Sequence, residues 1–273
     1  MAEALVDIQE PLCVLYYGDG GTGKTTHLAH MADLGKVALV NAEAGVKRRA
    51  LERSGVNVDN IEIWPAPGEK ITFDGLEAEW LRLYEAMNKN PDAYVGWGWD
   101  SLTEVYNVLL DAVKLEGEGW EERTGKKRDP RSDFGDTNDQ VRKLIRKARD
   151  LPCHFGASAL ERRDQDDDGT VTYRPSIAPA LMKDMYGWFD MVAHCTVVEV
   201  GESEQYLGLF KPLGKYRGKD RFKVMPRLLV DPTFDRVLAY VEEALTAPDD
   251  PIMQQAQKQR DTQKRNTKKT EDA

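Results

Sequence analysis

Residues 11–17, Pro-Leu-Cys-Val-Leu-Tyr-Tyr, form a continuous apolar run that stops at Gly18, the pattern of a strand buried on both faces. Residues 24–34 have helical composition and end at Gly35, and Lys-Val-Ala-Leu-Val follows as a second short apolar run. Strand, loop, helix and strand make the start of a βαβ unit. Farther on, Leu76, Trp80, Leu83, Tyr84 and Met87 recur at three- and four-residue steps and predict an amphipathic helix over 73–87. Residues 93–99 supply another strand, with Asp100-Ser101 as the cap of a helix over 102–115. From 116 to 136 glycine and charged residues show no hydrophobic period, which predicts a long mobile loop. Helix returns over 137–150 and strand over 151–158, and the acidic break at 161–169 reads as a hairpin tip. Two β-rich runs, 191–200 and 205–210, are separated by Gly-Glu-Ser-Glu and predict a late hairpin.

This order of elements predicts a doubly wound, mostly parallel α/β sheet with a late β-hairpin, in one domain over residues 1–246. The core closes near Val241, and residues 247–273 have the composition of a disordered charged tail. At 273 residues and 41% hydrophobic content the chain can bury a sizeable core. It carries 38 basic against 47 acidic side chains, a net charge of −9, so any nucleic-acid surface must be a local basic patch on an acidic body. No apolar run is long enough to span a membrane, and the first residues lack a secretory pattern, so the expected location is the cytoplasm. Cys13, Cys153 and Cys195 are odd in number, far apart and set in apolar sequence, which reads as reduced core thiols.

The chemistry concentrates between the first strand and the first helix. Gly18-Asp19-Gly20-Gly21-Thr22-Gly23-Lys24-Thr25 matches G-x-x-x-x-G-K-[ST] and is followed by Thr26. In that context the glycines let backbone N–H groups curl around a phosphate and Lys24 neutralises β- and γ-oxygens. The Thr25 hydroxyl ligates Mg²⁺. A P-loop also requires a carboxylate on a neighbouring strand for the metal, and Asp100, at the end of the Trp-rich run, fits that role. The AAA+ pattern would place a catalytic glutamate next, where this chain has Ser101, so the water-activating base is sought elsewhere. Glu43 lies just beyond the end of the second strand, beside the P-loop edge of a parallel sheet, and is the leading candidate.

Residues 211–223 hold Lys211, Lys215, Arg217, Lys219, Arg221 and Lys223 against Asp220, interleaved with Tyr216 and Phe222, which suits a phosphate partner: ATP across a subunit interface or a nucleic-acid backbone. A second basic cluster, 258–269, lies in the tail. His27, His30, His154 and His194 show no ligand spacing. The tryptophans read as packing residues, with Trp120 placed in the long loop where it could stack on a base.

Together, the P-loop, the strand end at Glu43, Asp100-Ser-Leu-Thr103, the strand ending at Ser158 and Gly218-Lys-Asp-Arg221 resemble the RecA-like ATPases encoded by phages and prophages, including single-strand annealing ATPases. The resemblance covers residues 11–245. It implies that Glu43 activates water and that Ser158 senses the γ-phosphate. It also implies that Lys219 and Arg221 reach a neighbouring subunit's ATP. The implied activity is Mg²⁺-dependent ATP hydrolysis by a homo-oligomer, a ring or filament, on single-stranded DNA in phage recombination or replication, alongside phage proteins of those processes in the host cytoplasm. The Trp-rich strand and the acidic loop 164–168 depart from the family pattern. Two alternatives are a P-loop kinase of a small molecule, with 123–131 as an arginine-rich lid, and an ATP-dependent assembly or loading factor that touches DNA little.

Overall fold

The computed structural model describes residues 11–246 except 67 and 166–167. The tail 247–273 and its basic cluster lie outside the described residues. The elements follow in the order β1 (Cys13–Gly18), α1 (Lys24–Ala29), β2 (Val37–Asn41), α2 (Arg48–Arg53), β3 (Ile61–Trp64), α3 (Phe73–Lys89), β4 (Gly96–Asp100), α4 (Leu102–Thr124), α5 (Pro130–Arg149), β5 (His154–Gln165), β6 (Val171–Pro175), α6 (Pro179–Trp188), β7 (Met191–Val200), β8 (Ser203–Leu209), β9 (Lys219–Asp220), β10 (Leu228–Val230) and α7 (Phe234–Thr246).

One sheet runs β10-β8-β7-β1-β5-β4-β2-β3. The stretch from β7 to β3 is parallel, while β8 and β10 extend it antiparallel and form the late hairpin with β7. β1 sits in the middle and its successor β2 lies three positions away, beyond β5 and β4, so the loop after β1 opens at the carboxyl edge beside a reversal of strand order, where open α/β sheets hold ligands.

The period of two sorts every central strand onto two cores. Cys13, Leu15 and Tyr17 face a cluster with Trp97, Trp99, Phe155 and the inward sides of α3 to α6. Leu12, Val14 and Tyr16 face the opposite cluster, with Leu28 and Met31 near α1 and Phe234 and Val237 of α7. The alternation of glycine with tryptophan in β4 follows from this division. A Cβ on Gly96 would lie 1.9 Å from Met31 Sδ, and one on Gly98 2.4 Å from Leu39 Cδ2. In β5, Gly156 faces Leu28 Cδ1 in the same way, at 2.3 Å. Glycine on one face lets the P-loop helix lie close to the strands, and the indoles fill the other face, with Trp97 and Trp99 edge to face at 5.4 Å.

The long loop expected over 116–136 is instead helix for most of its length. α4 continues to Thr124 and closes on Gly125 at φ 65°, whose N–H donates to Glu121 O, and α5 starts at Pro130 with Asp129 as its cap. The turns here are held by charge: Arg128 pairs with Asp133 at 3.1 Å and with Asp136. Leu115 and Trp120 stand exposed. Hydrophobic periodicity marks helices that bury a face, and this stretch buries little. The P-loop helix is also shorter than expected, passing into a 3₁₀ turn at His30–Asp33.

Candidate nucleotide site

The P-loop is shaped by its contacts. A Cβ on Gly18 would sit 2.3 Å from Cys195 O on β7, and Gly21 and Gly23 both hold φ near 79°, a region open to glycine. Asp19 Oδ1 accepts from Gly20 N–H at 2.7 Å, and Thr22 Oγ1 donates to Asp19 O at 2.9 Å, so the loop is braced by its own side chains. Lys24 Nζ lies among loop oxygens, 2.6 Å from Asp19 O and 3.1 Å from Gly18 O. Burial holds its ammonium below the usual lysine range, opposed by nearby Glu43, Asp100 and Asp19. A cleft of about 660 Å³ opens above it, lined by Gly20 through His27 together with Glu43 and Asp100.

Asp100 is the hub of the site. Its register partner on β2 is Asn41, and its carbonyl accepts from Ala42 N–H and Glu43 N–H, which fixes the turn that carries Glu43. Thr25 Oγ1 donates to Asp100 Oδ2 at 2.9 Å, and Ser158 Oγ donates to Asp100 Oδ1. With 2% exposure the carboxyl is pushed up by burial, and the two hydroxyls oppose that by favouring the charged form. The residue after it, Ser101, caps α4 by accepting from Glu104 N–H and donates to Glu43 Oε1.

The donor set, one hydroxyl and carboxylates around a phosphate-sized cradle, is all hard oxygen and suits Mg²⁺. Gly45 lies beside these oxygens, where a Cβ would make an ordinary contact with Asp100 Oδ2 at 3.5 Å.

The P-loop residues, Thr25, Asp100 and Glu43 thus converge. Ser158 is placed differently from a γ-phosphate sensor: it is wholly buried and spends its hydroxyl on Asp100, while Leu160, two residues on, lines the cleft. Lys219 and Arg221 stand apart. β9 pairs with the first residues of β7, which lie beside Val14 and Leu15, whereas the P-loop leaves the other end of β1. Lys219 Nζ donates to Tyr186 O and Phe189 O at the end of α6, and Arg221 pairs with Asp190 at 3.1 Å and donates to Gly187 O. Gly218, just before them, is a close-contact glycine whose Cβ would lie 2.6 Å from Lys211 N.

Sequence reasoning did not find one wall of the cleft. Tyr206 on β8, Asp231 and Thr233 line it, and a Cβ on Gly23 would meet Tyr206 Cδ1 at 2.9 Å, so the tyrosine lies against the P-loop. No local pattern marks a tyrosine some 180 residues after a P-loop as its neighbour; only the strand order brings it there. His27, also on the wall, is 3% exposed with neither ring nitrogen partnered.

Among the described residues no helix is long and apolar enough to cross a membrane, and all three cysteines are free and buried. No curated protein matches the chain. The family AAA_24, an AAA domain, matches residues 10–222, which take in the P-loop, Glu43, Asp100 and the strands that carry them, and the chain therefore belongs to this family of AAA/P-loop ATPase type.

Proposed function

We propose that this chain hydrolyses ATP with Mg²⁺ and uses the cycle on single-stranded DNA, as a homo-oligomer. The observation that carries the reading is the convergence of Thr25, Asp100 and Glu43 at the mouth of one P-loop. Lys24 would neutralise the phosphates, and Thr25 and Asp100 would hold the metal, which supplies charge stabilisation on the β- and γ-oxygens. Glu43, oriented by Ser101, would take the proton of the attacking water. Tyr206, Asp231 and Thr233 supply a wall for the base and ribose.

The kinase alternative loses its lid. Arg123 and Arg128 belong to the α4–α5 junction, where they line a separate groove, and Arg128 is already paired with Asp133 and Asp136.

The test is paired. Lys24→Ala should nearly abolish phosphate release while the melting temperature stays close to that of the parent, and filter binding should retain a labelled single strand in the presence of an ATP analogue. Near-normal hydrolysis by the variant would overturn the P-loop assignment. Failure to retain the strand would favour the loading-factor reading.

A further inference from the structure

Beside the nucleotide cleft the structure builds a surface that the ATP site does not use. In the β5–β6 hairpin Arg163 is the register partner of Tyr173, which puts both side chains on one face. The loop after β8 pairs along the edge of β6, which brings Tyr216 beside Tyr173. Tyr173 N–H donates to Lys215 O at 2.8 Å, the rings of Tyr173 and Tyr216 lie 5.3 Å apart, and Lys215 Nζ stands 4.8 Å above the first ring and 5.4 Å from the second. Arg163, Lys215 and Arg217 are exposed and both tyrosines are half-exposed. Asp164 alternates to the opposite face, where Arg162 holds it at 2.8 Å with Arg174 nearby, while Glu161, on the face of Arg163, is engaged with His194, and Asp168 accepts from Thr170 N–H. Asp166 and Asp167 lie outside the described residues.

This surface is fastened to the P-loop. Tyr216 stacks on His194 at 4.2 Å, and His194 Nε2 is 2.9 Å from Glu161 Oε2, one residue past the Gly18–Leu160 register pair. The Tyr17 hydroxyl accepts from Arg217 N–H at 2.9 Å and donates to Arg217 O, and Tyr17 directly precedes Gly18.

We propose that Tyr173 and Tyr216, ringed by Arg163, Lys215 and Arg217, form the docking surface for single-stranded nucleic acid, and that its occupancy is felt at the P-loop through Tyr17 and His194. The half-exposed ring of Tyr173 offers stacking to an unpaired base, Tyr216 anchors the pair on His194, and the exposed cations supply positive charge for a phosphate backbone. Base pairs of a duplex present no free ring face, so the surface selects single strands. This assignment rests on the DNA half of the proposed function and locates it on the chain.

The experiment is fluorescence anisotropy of a labelled oligothymidylate with the full chain and a non-hydrolysable ATP analogue over a salt series. The parent should bind the single strand more tightly than a duplex of equal length. Arg163→Glu with Lys215→Glu should weaken binding by at least tenfold and flatten the salt slope by about 0.7 for each lost contact, with an unchanged melting temperature. Tyr173→Ala should weaken it by on the order of tenfold, and Tyr173→Phe should restore it. If the parent binds but the double charge reversal binds with the same affinity and slope, the surface is wrong while the DNA reading stands. Equal affinity for duplex and single strand removes the stacking role. If the parent binds no oligonucleotide at low salt, the DNA reading fails and the surface with it.

Discussion

Ser101 Oγ donates to Glu43 Oε1, so the residue that follows Asp100 orients the carboxylate just beyond the end of the neighbouring strand. A glutamate at 101 would be the base itself; under the proposed function the serine there positions a base supplied by the turn after β2. Ser101→Ala frees Glu43 and should lower kcat by about tenfold with KM little changed, because water activation suffers more than ATP binding. It also removes the α4 cap at a cost of about 1 kcal/mol in stability, which thermal denaturation reads separately. Ser101→Thr keeps both roles. Glu43→Gln should bind ATP and lose on the order of 10²–10⁴ in rate. A Ser101→Ala enzyme with the parent's kcat would show that Glu43 needs no such orientation.

Gly98 and Leu39 touch across β4 and β2, where a Cβ would fall 2.4 Å from Leu39 Cδ2 and 3.5 Å from Leu28 Cδ1. Gly98→Ala should therefore cost about 1–3 kcal/mol by overpacking the face under α1. Leu39→Val opens space on that face, so the double variant should recover part of the loss. Denaturant unfolding of the four proteins tests the coupling, and simple additivity of the two changes would refute the contact.

How legible the molecule was in its sequence follows from what each signal measures. The strand at 13–18, the P-loop and the place of Asp100 beside it could be read directly, because a buried run of apolar residues and a phosphate cradle are local in sequence. Glu43 could be read as near the site, since a strand end on a parallel sheet has one place to go. The helical stretch around 116–136 could not, because it is stabilised by caps and by Arg128 pairs rather than by a buried face. The glycine–tryptophan alternation of β4 was visible as an oddity, and its cause required Met31 and Leu39 in three dimensions. Tyr206 and the Ser158–Asp100 bond depend wholly on strand order and register.

His27 gives the fold a pH dependence. Burial, aided by the neighbouring charges of His30 and Lys24, lowers its pKa from 6.5 to about 4. Between those values the unfolded chain binds a proton that the folded chain refuses, so stability falls as pH drops from 6.5 toward 4, by on the order of 3 kcal/mol in total. His154 and His194 are lowered by burial too and act with the same sign. Asp100 acts with the opposite sign, since its carboxyl is raised by burial and accepts a proton more readily in the folded state. His27→Leu should therefore flatten, without abolishing, the slope of melting temperature against pH in this window. An identical slope in the variant would mean that the imidazole finds a proton acceptor in the folded chain.

Arg221 offers the last test, on assembly. A role on a neighbour's γ-phosphate requires a free guanidinium, and here it is engaged with Asp190 and Gly187 O beside Lys219, which spans the last carbonyls of α6. Burial and then the charge of Arg221 lower the Lys219 pKa, as suits an ammonium spent on internal carbonyls. Within one chain these contacts fasten α6 to β9, at the end of the sheet away from the P-loop. Lys219→Ala should accordingly lower the melting temperature, leaving two carbonyls short of a donor. Mixing Lys24→Ala subunits with Arg221→Ala subunits separates the two roles, because a trans finger would let mixed interfaces pair an intact P-loop with an intact arginine. The contacts within the chain lead to the expectation of no recovery of ATP hydrolysis on mixing. Recovery, together with an ATP-dependent oligomer in light scattering, would instead put Arg221 on the neighbouring subunit's phosphate and require its ion pair with Asp190 to open on assembly.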